Sequence, residues 1–451
     1  MNRLTLSVGL VFVVGACGDD GVNHLADAPP PVDVIDAPAC APVTGAGTMH
    51  GGSVAAAETW TAAASPHILP FDMSIGAAVT IEKCAVVKIG AGKQISVRAG
   101  GSIITQGVAG QPVTIEKQGA AEFVNIRTLN GGTLSFTHTT ISGGGDPLNG
   151  IAATSGTLDI AGTAAPAMPI IHADHLTVMG SRSSGIVLHD GGGFDATSTD
   201  VTISGSMQFP IASFSRLMTT IPTGTYTGNT TDEILLHATG GPEAAVENAT
   251  IHARGVPYRV GYQPNSNLDV GPVTGVATLT IEPGVTLKFG PGGKLRIDAA
   301  ASTAPARGVL IANGTAAAPI VFTSAAATPV AGDWYGIWLG GLVDPATKLD
   351  HVKVMYAGKA SVSGSDSCLY PDALPNDAAI RIIGAAPATQ FIVNSELISS
   401  AWHAIDRGFR SDIKPSYIPT NTFTAIPRCK ESYPRDISGA CPTPATAVPC
   451  P

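Results

Sequence analysis

The stretch VTIEKCAVVKIGAGKQISV at residues 79–97 recurs as LTIEPGVTLKFGPGGKLRI at residues 279–297. Thr, Ile, Glu, Lys and two Gly are identical between the copies, and most apolar positions stay apolar. Short apolar strands separated by Gly-containing turns, and repeated in this way, are typical of a stacked β architecture in which each coil buries its apolar side chains against its neighbours. The repeat therefore predicts an all-β solenoid.

The composition favours strands and turns over helices. Of the 451 residues, 53 are Gly and 34 are Pro, whereas only 13% are charged, and no long apolar stripe recurs at helical spacing. The formal net charge is −9, and the Lys and Arg residues form no basic cluster. We therefore exclude nucleic acid as a partner.

The N-terminus has the pattern of an export signal and is kept apart from the fold. A positive region at Arg3 precedes a largely apolar core at residues 4–14, which is too short to span a bilayer. The sequence VGAC at residues 14–17 resembles the lipobox of bacterial lipoproteins. This resemblance implies that residues 1–16 are a signal peptide and that Cys17 carries the lipid (diacylglycerol and palmitate). An ordinary signal peptide is the alternative.

Residues 17–48 predict an acidic, Pro-rich tether. The segment contains five Asp and five Pro but no Lys or Arg, so it buries too little apolar surface to fold. We expect an extended, disordered connection between a membrane-bound lipid and the β-structure. The expected location is the bacterial cell envelope, anchored in the outer membrane and facing either the periplasm or the outside.

The six cysteines other than Cys17 are an even number, which favours disulfides in an exported protein. No two of them have the short spacing of a zinc site. Fifteen pairings are open. We expect Cys40 to pin the tether to the first coils at Cys84, and the other four to staple the C-terminal end: Cys368, Cys429, Cys441 and Cys450.

The duplication extends beyond the opening motif. PVTI at 112–115 matches PIVF at 319–322, and LSFTHTTISG at 134–143 matches LDHVKVMYAG at 349–358. We therefore divide the chain after the tether into a first β-helix block, connecting β-rungs, a second β-helix block and a Cys/Pro-rich C-terminal cap. These are residues 49–205, 206–278, 279–426 and 427–451.

The second block resembles a known group of proteins. The motifs TLTIEPGVTLKFGPGGKLRI (278–297), GTAAAPIVFTS (314–324) and GDWYGIWLGG (332–341) are similar to those of right-handed parallel β-helix lipoproteins and surface proteins of Gram-negative bacteria. The resemblance covers roughly residues 59–410 and implies a right-handed parallel β-helix. It implies no activity.

Polysaccharide lyases and glycoside hydrolases of the β-helix type resemble this architecture, so an enzyme is the main alternative. Hydrolysis needs two carboxylates that face each other across the sugar. The sole adjacent acidic pair in the predicted β-helix is Asp232-Glu233, whose side chains would point to opposite faces of a strand. Carboxylates within about 10 Å of one another on one exposed face would favour an enzyme. A flat face of Ser, Thr and scattered Asp would favour binding.

Two groups of residues are weak candidates for metal ligands. Asp366, Asp372 and Asp377 share one loop and offer the oxygen ligands that Ca²⁺ prefers, but their spacing fits no calcium loop, so a solvated loop held by a disulfide is favoured. A second group offers imidazole and carboxylate ligands, although surface residues on a polar strand face are the favoured interpretation: His172, Asp174, His175, His189 and Asp190. We predict no cofactor, with Ca²⁺ as the alternative.

Trp334 and Trp338 are the candidate ligand contacts. On a strand the two rings would share one face, while Tyr335 would point to the other, and an exposed aromatic pair suits the stacking of a sugar ring. Packing at a block boundary is the favoured alternative.

These observations predict a membrane-anchored, extracytoplasmic β-helix lipoprotein that is non-catalytic. Its repetitive faces would bind a polysaccharide, a matrix polymer or a cell-surface protein. A polysaccharide-degrading enzyme is the first alternative, and a purely structural coat or spacer is the second.

Overall fold

The computed structural model describes residues 38–450 except 146–154, 164–167, 238–242, 246, 273, 299–303, 362–365, 370–375 and 442–449. The predicted signal peptide, Cys17 and the tether up to residue 37 lie outside the described residues. No α-helix occurs in the described ranges, and no helix there is long and apolar enough to cross a membrane. Three short 3₁₀ helices do occur there, at Ala62–Ala64, Ser215–Thr220 and Ile418–Thr420.

Short β-strands make up the rest of the regular structure. In chain order they are β1 (Thr48–Met49), β2 (Ser53–Val54), β3 (Glu58–Trp60), β4 (His67–Leu69), β5 (Met73–Ile75), β6 (Ala78–Glu82), β7 (Val86–Ile89), β8 (Ile95–Val97), β9 (Ser102–Gln106), β10 (Val113–Lys117), β11 (Ile126–Thr128), β12 (Thr133–Ser142), β13 (Gly156–Ala161), β14 (Met168–Met179), β15 (Ser184–His189), β16 (Gly192–Phe194), β17 (Val201–Ser204), β18 (Ile211–Phe214), β19 (Gly224–Thr225), β20 (Ile234–His237), β21 (Glu243–Ala245), β22 (Ala249–Ile251), β23 (Tyr258–Val260), β24 (Asn267–Val270), β25 (Ala277–Ile281), β26 (Thr286–Phe289), β27 (Lys294–Ile297), β28 (Gly308–Asn313), β29 (Ile320–Ser324), β30 (Gly336–Gly341), β31 (Lys348–Asp350), β32 (Val352–Met355), β33 (Ala378–Gly384), β34 (Ile392–Val393), β35 (Glu396–Ile398), β36 (His403–Arg407) and β37 (Thr422–Thr424).

The strands stack into four parallel sheets, of 14, 12, 6 and 5 strands. The longest sheet runs β2-β5-β8-β11-β13-β15-β18-β20-β23-β26-β29-β32-β35-β37, so neighbours in the sheet come from successive coils of the chain. At about 4.8 Å between strands, these 14 strands span about 60 Å. This arrangement confirms the prediction of an all-β, parallel β-helix.

The core follows from the alternation of side chains along each strand. Val79 and Ile81 of β6 are buried while Thr80 between them is partly exposed, and Leu279 and Ile281 of β25 repeat the pattern. Stacking of these inward positions on the next coil gives one apolar cluster that extends from the first coils to the last. The apolar residues that recur in the repeat therefore pack in the core between successive coils.

The two blocks do not use the sheets in the same way. β7 and β26 are equivalent in the sequence repeat, yet β7 belongs to the 12-stranded sheet and β26 to the 14-stranded sheet. In the first block, that longer sheet is formed by the next strand of the repeat, β8. The second copy is therefore displaced by one face of the coil relative to the first.

The sequence match between residues 134–143 and 349–358 is out of register by two residues. β10 pairs Val113 with Thr139, whereas β29 pairs Ile320 with Val352. Because Val113 and Ile320 correspond, Thr139 corresponds to Val352 and not to the residue two places later. A shift of two keeps every side chain on its own face, so the apolar pattern cannot detect it.

Three disulfides hold the two ends of the described body. Cys40 pairs with Cys84, as expected, and fixes the segment after residue 37 against the first coils. The other four pair as Cys368–Cys441 and Cys429–Cys450. Near the C-terminus, the N–H of Ala404 in β36 donates to the carbonyl of Cys429, so the tail covers the last strand of its sheet.

Candidate functional site

A histidine–carboxylate face lies on the outside of the 12-stranded sheet in the first block. Strand register places His138, His175 and Asp200 at the same point of three successive coils, because Thr137 pairs with Asp174 and Asp174 with Thr199. All three adopt a left-handed φ, of 40°, 55° and 53°. We use the name histidine–carboxylate face for the following six residues: His138, His172, Asp174, His175, Asp195 and Asp200.

The imidazole of His175 lies between two carboxylates. Its Nδ1 is 2.6 Å from Oδ1 of Asp174, and its Nε2 is 3.8 Å from Oδ2 of Asp200. The ring of His138 stacks on that of His175, with 4.4 Å between ring centroids. The side chain of His175 is 51% exposed, so the group is open to solvent and to ligands.

A second ion pair lies nearby on the same face. Nδ1 of His172 is 3.0 Å from Oδ2 of Asp195. Partial burial opposes ionisation of Asp195, but hydrogen bonds from Ser198 and Thr197 and the charge of His172 together lower its pKa. Asp195 is therefore a fixed anion that holds the loop after β16 against the face.

A cavity of about 450 Å³ adjoins this face where the first block meets the connecting β-rungs. Asp195 lines it together with Thr223, His252 and Arg254. On this side of the coils the 12-stranded sheet ends at β19 and the five-stranded sheet begins at β22. His252 Nδ1 is 2.7 Å from Oε1 of Glu282. Partial burial opposes ionisation of Glu282, and hydrogen bonding to His252 overcomes it and lowers the pKa.

The sequence named only part of this site. His172, Asp174 and His175 were candidates because they are neighbours in the chain. Asp195, Asp200 and the cavity residues were missed, because they belong to later coils of unequal length. The other candidate pair, His189-Asp190, is separate, because His189 of β15 contacts Asp159 of β13 and both strands belong to the 14-stranded sheet.

Trp334 and Trp338 are packed and do not form an exposed aromatic pair, in line with the alternative that the sequence favoured. Trp334 precedes β30 and is fully buried, with its ring 4.3 Å from that of Phe289 and its Nε1 donating to the carbonyl of Met355. Trp338 points outward from β30 but is only 8% exposed. Lys294 and Arg381 lie within 4.5 and 4.7 Å of its ring centroid, so cations already occupy the space that a sugar would need.

The acidic loop does not assemble a calcium site from its described members. Asp366 pairs with Arg410 at the surface, and Asp377 is buried beside Arg381. Burial raises the pKa of Asp377, although hydrogen bonds from Ser361 oppose the shift. Asp372 lies outside the described residues. The two described carboxylates are therefore neutralised by separate arginines.

A larger cavity of about 750 Å³ lies elsewhere, beside Val330, Tyr356 and Ile426. It has no carboxylate, imidazole or ammonium group in its described lining. Its described lining therefore has fewer groups for polar recognition of a ligand than the histidine–carboxylate face.

Among known proteins, the family model described as the pectate-lyase-like β-helix domain matches residues 267–364. The parallel sheets and this match together settle the class. The chain is a parallel β-helix repeat protein. No curated protein and no solved structure matches it. The matched part of the β-helix repeat protein begins after the histidine–carboxylate face ends, so the match assigns no role to that face.

Two carboxylates do approach one another on the exposed face, as an enzyme would require. Ligand atoms of Asp174, His175 and Asp200 all lie within 4.8 Å of one another. This meets the criterion of carboxylates within about 10 Å. However, the ring of His175 occupies the space between the two carboxylates, where the reacting carbon of a sugar would have to lie. The imidazole of His175 therefore separates the two carboxylates on this face.

Proposed function

We propose that this β-helix repeat protein is a non-catalytic, extracytoplasmic protein that binds a neutral polysaccharide along the histidine–carboxylate face. The observation that carries the proposal is the cavity lined by Asp195, which adjoins the histidine–carboxylate face. Sites for small ligands are concave and carry a few fixed polar groups. Asp195, Thr223 and His252 supply carboxylate, hydroxyl and imidazole groups around one cavity.

The charge of the face selects among polysaccharides. Asp174 and Asp200 lie close together, Asp195 shares their face, and the chain as a whole has a net charge of −9. The cation of the cavity lining, Arg254, already donates two hydrogen bonds to the carbonyl of Ile221. A uronic acid polymer would meet like charges, which weaken binding. Hydroxyl groups of a neutral sugar instead donate to carboxylates and accept from histidine or threonine.

A glycan array that carries neutral and uronic acid polymers tests this proposal. The wild type should bind neutral polymers, and Thr223→Val and His252→Gln should each weaken that binding by about 2- to 12-fold, since one hydrogen bond contributes about 0.5–1.5 kcal/mol. Thr323→Val is the matched control, because Thr323 lies on the outer face of β29 in another sheet.

Two results would contradict the proposal. One is binding only to uronic acid polymers. The other is a loss of binding in the control that equals the loss in Thr223→Val. Failure to bind any glycan would instead favour the structural coat or spacer.

A glycoside hydrolase is the second candidate, because Asp174 and Asp200 lie close enough to act together. Release of reducing ends from the polymers bound on the array would support it. Asp174→Asn and Asp200→Asn should then abolish release while binding remains. Absence of release from every bound polymer would support the binding function.

Attachment to the cell envelope through a lipid on Cys17 is part of the proposal. The three disulfides support export, because disulfides persist in oxidising compartments. Growth with a clickable fatty acid should label the wild type. Labelling that survives Cys17→Ala would rule out lipidation at this residue.

A further inference from the structure

At one bend of the β-helix, side chains that can bind a metal ion lie next to one another. His138, His175 and Asp200 occupy the same bend in successive coils, and coils are about 4.8 Å apart. All three have a left-handed φ, and none of the three is buried. Asp174 immediately precedes the bend and points to the same face as His172.

The distances suit one cation. Within the part of the chain that the structure describes, Asp174, His175 and Asp200 are the group whose ligand atoms lie mutually within 4.8 Å. A cation with bonds of about 2.0–2.2 Å requires ligand atoms about 3–4 Å apart. Exposed side chains cover that difference by small rotations. His138 lies outside this group, but its ring stacks on that of His175 with 4.4 Å between centroids, so a rotation of its side chain would bring a fourth ligand to the cation.

The ligand types identify the class of cation. Imidazole with carboxylates suits zinc, copper or nickel, whereas Ca²⁺ and Mg²⁺ require oxygen ligands. Supporting contacts are also present, because Oγ1 of Thr199 donates to Asp200 and is itself 3.0 Å from Oγ1 of Thr223. Such contacts orient metal ligands in known sites.

We propose that Asp174, His175 and Asp200 form a surface site for a borderline divalent cation of the zinc class, with His138 as the fourth ligand. The site shares the histidine–carboxylate face with the proposed polysaccharide contacts, but its ligands differ from Thr223 and His252, whose substitution tests polysaccharide binding. The two proposals can therefore fail separately. The bound cation would replace the ion pairs of His175 and fix three coils to one another at this bend.

Isothermal titration of the untagged chain with Zn²⁺ at pH 7 tests the site. The wild type should bind one equivalent more than His175→Gln, and His138→Gln should weaken that equivalent by at least about tenfold. His252→Gln is the control, because this partly exposed histidine has a carboxylate partner at another position. It should leave zinc binding unchanged while it weakens polysaccharide binding.

Three results would overturn the metal site. They are no zinc binding by the wild type, equal stoichiometry for the wild type and His175→Gln, and equal affinity for Ca²⁺ and Zn²⁺. Thermal melting of each metal-free variant shows whether it remains folded. If Asp174→Asn and Asp200→Asn fold and still bind the same equivalent, the proposed ligands are wrong.

Discussion

His189 is a partly buried histidine held between two carboxylates, Asp159 and Asp190. Burial opposes its charged form, but hydrogen bonds to both carboxylates overcome this and raise the pKa of His189 above its usual value. The folded chain therefore binds this proton more tightly than the unfolded chain. The resulting stabilisation is complete below the ordinary histidine pKa of about 6.5 and is lost as pH rises through the higher folded value.

We predict that His189→Gln lowers the free energy of unfolding more at pH 5.5 than at pH 9, as measured by urea denaturation. His138→Gln is the control, because the described contact of His138 is the ring of His175 rather than a carboxylate. A His189→Gln effect that is the same at both pH values would show that the ion pairs contribute nothing to stability.

At the scale of single residues, the sequence predicted chemistry only where ligands are neighbours in the chain. Asp174 and His175 could be named, but Asp200 lies a whole coil later and no pattern marked it. The argument that Trp334 and Trp338 share a face assumed strand alternation at Trp334, where the strand has not yet begun. Burial of that ring on Phe289 is a tertiary contact that strand spacing does not contain.

Glycines between strands allow the backbones of neighbouring coils to approach each other closely. A Cβ added to Gly107, which follows β9, would lie 2.2 Å from the carbonyl oxygen of His138 on the next coil. Real Cβ atoms do not approach so closely, so the two coils would have to separate. A Cβ added to Gly51 would meet no atom within 4 Å, and the backbone there adopts an ordinary φ.

We predict that Gly107→Ala destabilises the protein by about 2–4 kcal/mol, in the range of severe packing changes. Gly51→Ala should be neutral or slightly stabilising, because alanine restricts the unfolded chain. Thermal melting followed by circular dichroism measures both. Equal melting temperatures for the two variants would contradict the close approach of coils at Gly107.

At the scale of elements, the sequence predicted the sheet class but not the arrangement of the blocks. Inward apolar residues at every second position predict a stacked strand on any face of the coil. They do not specify which face of the coil receives it. The sequence repeat therefore does not indicate that β26 joins the sheet that contains β8. The cavity beside Asp195 lies where these two arrangements meet, so the sequence repeat did not predict it either.

At the scale of the whole molecule, the six-stranded sheet ends at β36, whose outer edge is covered by the C-terminal tail. Open sheet edges promote association between chains, and repeat proteins need such caps. Arg407 of β36 and Glu431 of the tail form a buried ion pair, with 3.2 Å between Nη2 and Oε1. Burial lowers the pKa of Arg407, and Glu431 opposes this shift. The two charges therefore depend on each other.

We predict that Glu431→Ala releases the cap, because loss of one partner from a buried pair costs about 3–5 kcal/mol. Only the last coils should open, since each coil contacts only its neighbours. Trypsin should then cut after Arg428 and Lys430, and association should increase with concentration in size-exclusion chromatography. Glu116→Ala removes an exposed pair with Lys88, worth about 0–1 kcal/mol, and should change neither result. A Glu431→Ala protein that resists trypsin and elutes as the wild type would mean that the disulfides alone hold the cap.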